Sequence, residues 1–195
     1  MRVTLSDLGV GNLHSLEKAF ARALPGATVD VATGGPLSAD VVVLPGVGAF
    51  AHAAERLEAL REPLLARARE GRPIVGICLG MQLLFDESEE GAGRGLGLIR
   101  GRVTRLATSR IPHMGFSDLS SLVPGLELPN SVYYAHSYAC RPDDAATIVA
   151  TSTLDGDTFP AIVRTGRTLG FQFHPEKSSF EGLALLGKLT GELLR

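Results

Sequence analysis

The sequence predicts an α/β fold: a single domain over residues 1–195, built on a doubly wound, mainly parallel sheet with helices on both faces and additional antiparallel strands in the C-terminal half. Two observations lead there. In roughly the first 85 residues, apolar strand-like runs alternate four times with helical patterns, the rhythm of parallel strands joined by crossover helices. From Leu98 onward that rhythm gives way to one strand-like run after another. The chain has 195 residues, 45% hydrophobic and 21% charged, enough to bury one substantial core.

Residues 2–6 predict a first strand, with Val3 and Leu5 alternating against polar neighbours. Asn12 is a good N-cap for a helix whose apolar face is Leu13, Leu16, Phe20 and Ala23, stopped by Pro25-Gly26. Val29 and Val31 suggest a second strand, Gly34-Gly35-Pro36 a loop, and Val41 to Leu44 a buried strand ending at Pro45-Gly46. One long helix should follow, carrying Leu57, Leu60, Leu64 and Leu65. Pro73 to Ile77 is a fourth strand, and the good helix formers from Leu79 to Phe85 continue it. Asp86 to Gly95, acidic and glycine-rich, suggests a solvated loop. Strands are then expected at 99–106, 131–139, 147–153, 159–164 and 168–173, with a hairpin turn at Arg164-Thr165-Gly166-Arg167. Ser178 or Ser179 would cap a last helix bearing Leu183, Leu186, Leu189 and Leu193.

Composition removes several function classes. A net charge of −2 with scattered arginines offers no surface for nucleic acid or an anionic membrane. No run approaches the length of a membrane span, and the N-terminal apolar run is too short for a signal peptide, so a cytoplasmic protein is expected. Two cysteines, Cys78 and Cys140, form no C-x-x-C pair and fit a reducing compartment. No histidine or cysteine spacing suits a metal; neither metal nor cofactor is expected.

The chemistry concentrates at Cys78. It stands between the strand and helix of GRPIVGICLGMQLLFD (71–86), with Gly76 and Gly80 two residues to either side. This is the nucleophile-elbow spacing with cysteine at its centre. Such a turn strains the backbone and brings segments so close that only glycine fits beside it, while the helix N-terminus favours negative charge on the sulfur. A structural cysteine that merely packs is the plain alternative. The nucleophile needs a base and the base an orienting group. Of five histidines, His174 alone has a helpful carboxylate: Phe171-Gln172-Phe173-His174-Pro175-Glu176 runs as an alternating strand into the histidine, and in extended chain residues two apart share a side. Oxyanion donors are available from the Leu79 amide and from the glycine loop Pro45-Gly46-Val47-Gly48. That loop also fits G-x-G-x-x-A, a dinucleotide fingerprint, but Pro45 precedes it and no acidic residue closes a following strand. A nucleotide-binding module without chemistry is therefore the weaker reading.

PGVGAF, GICLGMQLLF and FQFHPEKS, in that order, resemble the class I (triad) glutamine amidotransferases. DLGVGNLHSL (7–16), IPHMGF (111–116), YAHSY (134–138) and HPEKSS (174–179) resemble the glutaminase subunits of imidazole glycerol phosphate synthase. Leu8 stands where tyrosine is usual and Phe116-Ser117 where Trp-Asn is common. The resemblance implies that Cys78 attacks the glutamine amide, His174 moves the proton and Glu176 holds His174. Gly46, Val47, Gly48 and Leu79 would surround the oxyanion; Gln82, Ser137 and Tyr138, with His136 beside them, would hold the substrate. It further implies a partner (β/α)8-barrel cyclase subunit in a heterodimer, receiving ammonia for histidine biosynthesis, with Asn12 and Pro112, His113, Met114, Gly115 and Phe116 at the interface. As a helix cap and a packed turn, those last residues have an equally plain structural explanation. Another triad glutaminase subunit, or a free-standing γ-glutamyl hydrolase, is the alternative within enzymes.

Overall fold

The computed structural model describes residues 1–9, 11–33 and 38–195. The loop expected at Gly34-Gly35-Pro36 lies outside the described residues, as does Val10. In chain order the elements are β1 (Arg2–Ser6), α1 (Leu13–Ala23), β2 (Thr28–Ala32), β3 (Val41–Leu44), α2 (Phe50–Leu57), α3 (Arg61–Arg69), β4 (Ile74–Ile77) and α4 (Leu79–Gln82). There follow β5 (Glu87–Ser88), β6 (Gly101–Arg105), β7 (His113–Asp118), β8 (Ser120–Ser121), β9 (Ser131–His136) and β10 (Tyr138–Pro142). The chain closes with β11 (Ile148–Leu154), β12 (Asp157–Thr165), β13 (Thr168–Phe171) and α5 (Ser179–Glu192).

The principal sheet has eight strands in the order β2-β1-β3-β4-β13-β12-β11-β8. The pairs from β2 through β13 are parallel, and those from β13 through β8 antiparallel. Strand alternation splits the core between the two faces. Val41 and Val43 pack with Leu16 and Phe20 of α1 and Leu186 and Leu189 of α5, whereas Val42 and Leu44 pack with Phe50 and Leu57 of α2 and Leu64 of α3. Residues of β3, β4 and β13 are buried throughout, as parallel strands covered on both sides require. Phe20 is fully buried on α1, and a side chain of that size contributes about 1.5–3 kcal/mol by leaving water.

Several elements differ from the sequence expectation. The long second helix breaks at a 3-10 turn, Glu58–Leu60, and restarts as α3. Pro63 supplies the reason: it has no N–H and its ring collides with the carbonyl four residues earlier, so it sits in a first turn instead of a helix interior. The helix after Cys78 ends at Gln82, because the carbonyls of Leu83, Leu84 and Phe85 accept from the amides of Leu96, Ile99 and Gly97 (2.7, 3.1 and 3.0 Å). The 86–95 stretch is surface-exposed at Glu87, Glu89 and 92–94 but tied down by the Asp86 and Glu89 amides, which donate to the Gly101 and Val103 carbonyls at 3.1 and 2.9 Å. The Glu90 carboxylate accepts from the Phe50 amide at 2.9 Å, capping α2. Residues 113–118 form strand β7, paired antiparallel with β9, and not a packed turn. The strand expected over 131–139 is two strands: β9 pairs with β7, β10 pairs with β6, and the break falls at Ser137. The final strand stops at Phe171, two residues short of expectation.

The glycines at the elbow are packing requirements. A Cβ on Gly76 would lie 2.5 Å from the Gly80 carbonyl oxygen, and one on Gly80 would collide with the Leu44 carbonyl. Strand β3, strand β4 and helix α4 thus meet backbone to backbone. Gly80→Ala is expected to lose on the order of 3 kcal/mol or more of stability, because none of the colliding atoms belongs to a flexible side chain. Gly26→Ala, with φ of +84° and nothing within 4 Å, should lose about 1 kcal/mol from backbone strain alone. Chemical denaturation of the two variants checks the difference.

Candidate active site

The parallel pairing of β4 with β13 assembles the site. Phe171 is opposite Ile77, and the Cys78 amide donates to the Phe171 carbonyl at 2.6 Å. Cys78 is the first residue beyond one strand and His174 the third beyond the other, so the sheet joins positions distant in sequence. Cys78 has φ +52° and ψ −107°, a backbone conformation rare for a residue with a Cβ. The glycine contacts around that residue hold the strain in place.

His174 is 1% exposed. Its Nδ1–H donates to Glu176 Oε1 at 2.8 Å, which leaves Nε2 as the basic nitrogen. The contact forms as the sequence predicts, but through a 3-10 turn over Pro175–Lys177 instead of continued strand. Among the described residues, neither the buried Nε2 nor Glu176 Oε2 meets a hydrogen-bond partner. Burial alone would depress the ring's pKa, but the Cys78 sulfur and the Glu176 carboxylate outweigh it and raise the pKa from 6.5 to about 10. The raised value favours a proton on the ring, beside the sulfur. That charge contributes fully to stability below about pH 6.5 and loses its contribution as pH rises through about 10.

The thiol is also flanked by the Ala135 carbonyl at 3.9 Å and by Gln172 Nε2, which donates toward the sulfur at 3.8 Å. Gln172 is fully buried, and sequence reading passed over it. Its place in the alternation before His174 was the available signal. Gln82 Nε2 donates to the Tyr138 carbonyl at 2.9 Å, so that face of α4 is tied to the start of β10. Ser137 sits at the joint between β9 and β10, its carbonyl accepting from the Leu106 amide at 3.0 Å, and it and Tyr138 are half-buried. His136 is buried, with Nδ1 donating to the Tyr138 carbonyl at 2.8 Å and Nε2 3.2 Å from His113 Nδ1.

At the end of β3, Gly46 is buried against α4; a Cβ there would lie 2.5 Å from the Leu79 Cβ. Val47 and Gly48 are exposed, and Gly48 has φ +118°. Leu79, the first residue of α4, contributes an amide with no intrahelical acceptor. Asn12 is exposed and caps α1, its Oδ1 accepting from the Ser15 amide at 3.2 Å. On β7, Met114 and Phe116 point outward at 60% and 54% exposure, His113 points inward, and Gly115 has φ +126°. Pro112 is exposed just before them.

Ser178, expected as a cap, makes no side-chain cap to α5. Its hydroxyl donates to the His174 carbonyl at 2.6 Å and accepts from the Tyr133 amide at 2.9 Å, while the His174 amide donates to the Tyr133 carbonyl at 2.9 Å. The His174 backbone is pinned to β9 on both sides.

Among the described residues no His/Cys/Asp/Glu group is placed to hold a metal ion, and no helix is long and apolar enough to cross a membrane.

A thiol on a strand–helix elbow, with a carboxylate-held imidazole beside it, defines a cysteine-dependent acyl-transfer enzyme. The family model described as glutamine amidotransferase class-I matches residues 30–186, and the chain belongs to that family. The imidazole glycerol phosphate synthase subunit HisH of Pyrococcus furiosus is 38% identical over 95% of this chain and 96% of its own length. The HisH subunit of a Synechococcus strain is 43% identical over 95% and 92%. A solved structure described as a glutamine amidotransferase superposes with a TM-score of 0.73 over 97% of this chain and 98% of its own; at 22% identity it attests the fold. Within the class, this chain is a member of the HisH family.

An electrophilic glutamine analogue is expected to alkylate Cys78 and to spare Cys140, which is fully buried with its thiol pKa pushed well up by that burial. Mass spectrometry of the digested adduct should find one equivalent on the Cys78 peptide.

Proposed function

We propose that Cys78, His174 and Glu176 form the catalytic triad of a glutaminase that passes its ammonia to a partner subunit. The single observation that carries the proposal is the thiol on a positive-φ elbow beside an imidazole whose far nitrogen is committed to a buried carboxylate. The Cys78 sulfur attacks the side-chain amide carbon of glutamine. The tetrahedral oxyanion takes hydrogen bonds from the Leu79 amide and from the loop Gly46-Val47-Gly48, whose exposed half has the freedom to turn a donor inward. His174 takes the thiol proton, gives it to the departing ammonia, then draws one from the water that hydrolyses the glutamyl thioester and returns it to the sulfur as glutamate leaves. Glu176 fixes the tautomer and keeps the ring charged. Gln82, Ser137 and Tyr138 hold the substrate from the α4 and β10 side.

The partner in this reading is a (β/α)8-barrel cyclase subunit working in the cytoplasm, which uses the ammonia in histidine biosynthesis. Supporting a docked partner, Met114 and Phe116 are large apolar side chains turned to solvent on one face of the β7–β9 ribbon, and Phe116 packs edge-on against Tyr133 at 5.6 Å. Pro112 and Asn12 are exposed and join the contact, while His113 and Gly115 shape the strand beneath it.

In the complex with the cyclase subunit, Cys78→Ala should abolish the glutamine-dependent reaction while free ammonia still supports turnover. Loss of both would make Cys78 structural. His174→Ala should lower kcat by about 10³-fold or more and Glu176→Gln by about tenfold, since an orienting group matters less than the base it orients. In Glu176→Gln the alkaline limb of the glutaminase pH profile should move toward neutrality, because the carboxylate is one of the groups raising the His174 pKa. An alkaline limb left in place would remove Glu176 from the assignment.

A further inference from the structure

Next to the thiol lies a pair of buried histidines that the triad does not use. His113 on β7 and His136 on β9 are 5% and 6% exposed. His113 stacks on Tyr134 with ring centroids 4.7 Å apart and planes 17° from parallel, and Phe159 meets both imidazoles edge-on at 5.9 and 5.1 Å. Four polar contacts run through them in series. Ser117 Oγ lies 2.8 Å from His113 Nε2, His113 Nδ1 lies 3.2 Å from His136 Nε2, and His136 Nδ1 lies 2.8 Å from the Tyr138 carbonyl, which also accepts from Gln82 Nε2 at 2.9 Å.

The proton on every ring follows from the last acceptor. A carbonyl only accepts, so His136 carries its proton on Nδ1. A neutral His136 then offers the lone pair of Nε2, which His113 fills with its own Nδ1–H. His113 Nε2 is left as an acceptor for the Ser117 hydroxyl. The series thus has one direction, from Ser117 inward to Tyr138, and every nitrogen is used. Neither ring has a nitrogen to give a substrate.

We propose that His113 and His136 are positioning residues: a neutral, one-directional hydrogen-bonded pair that fixes the Tyr138 carbonyl, and through it the Gln82 amide and the Ser137–Tyr138 segment, against the Cys78 thiol. This rests on the reading that Gln82, Ser137 and Tyr138 hold glutamine. Neutrality is part of the function. One extra proton fits only if the Ser117 hydroxyl reverses and a cation is placed among Tyr134 and Phe159.

The groups facing the pair come from four elements: Arg110 from the segment before β7, Asp155 from the β11–β12 hairpin, Tyr134 from β9 and His174 from the segment after β13. Burial lowers the His113 pKa first, with Arg110 adding to it and Asp155 opposing. For His136 burial again comes first; the Tyr138 carbonyl opposes it, while His113 and His174 add, and the value falls to about 4. A charged His136 would oppose the positive ring of His174 that the thiol needs. Since its folded value is depressed, neutral His136 contributes stability that is present above about pH 6.5 and is lost as pH falls toward about 4.

Ring-nitrogen spectra of the full chain labelled with 15N-histidine test this in the native protein. Expected are two imidazoles protonated at Nδ1 with bare Nε2, both titrating below the ordinary 6.5. A proton on Nε2 of either ring, or titration near 6.5, overturns the proposal. In the complex with its cyclase partner, His113→Phe keeps a ring stacked on Tyr134 but removes both nitrogens. The KM for glutamine should rise about tenfold, and the ratio of glutamine- to ammonia-dependent rate should fall. His113→Asn, which restores a donor where Nδ1 was, should recover most of that loss. An unchanged KM, or an asparagine variant no better than phenylalanine, overturns it; if His113→Phe does not fold, the native spectra decide. Labelling of Cys78 by the glutamine analogue separates the two readings. A labelled Cys78 with an unchanged KM sinks this inference alone, and an unlabelled one sinks the glutamine site beneath it.

Discussion

Every feature of the site depends on the parallel pairing of β4 with β13. The two strands are joined by nearly a hundred residues of chain, yet their register sets Ile77 against Phe171 and so delivers thiol and imidazole to one edge of one sheet. Parallel sheets present their functional groups at the carboxyl ends of the strands, and here both strand ends carry them. A slip of one residue would turn Cys78 to the opposite face and bury His174 elsewhere. The meeting of thiol and imidazole is therefore inherited from strand pairing, and the local turns only refine it.

The refinement has its own constraints. At the elbow three backbones meet without side chains between them, and Gly46, Gly76 and Gly80 are the positions where a Cβ has no room. The positive φ of Cys78 persists because those contacts leave the chain no relaxed alternative. Behind the imidazole, the Ser178 hydroxyl and one backbone bond tie His174 to β9, so the residue is held through its main chain as well as its ring.

Much of this was legible in the sequence because the signals were local. The G-x-C-x-G spacing, the alternation into His174-Pro175-Glu176 and the apolar runs at 41–44 and 74–77 each require only a few neighbouring residues to interpret. What escaped depended on distant partners. Nothing in Ser131–Ala139 reveals that its two halves pair with different strands, since both halves alternate well. The 86–95 loop reads as solvated because its composition is acidic, but what ties it down is distant in sequence: the Asp86 and Glu89 amides donate to the carbonyls of Gly101 and Val103. Pro63 could have split the second helix on sequence grounds alone, and Asp155-Gly156, both at positive φ between β11 and β12, is a hairpin signal of the plainest kind. Gln172 was hidden in full view, its amide directed at the sulfur from a strand noticed only for its apolar residues.

The bond between Glu90 and the Phe50 amide changes the electrostatics of the glycine loop. G-V-G-A-F-A between a strand and a helix resembles a diphosphate cradle, whose attraction for anions comes from unpaired amides at the helix start. In this chain a carboxylate from a separate loop already occupies that start and supplies the counter-charge. A nucleotide arriving there would meet a tenant of its own sign. A place for a charge of that sign at the helix start is what a phosphate-binding loop leaves open.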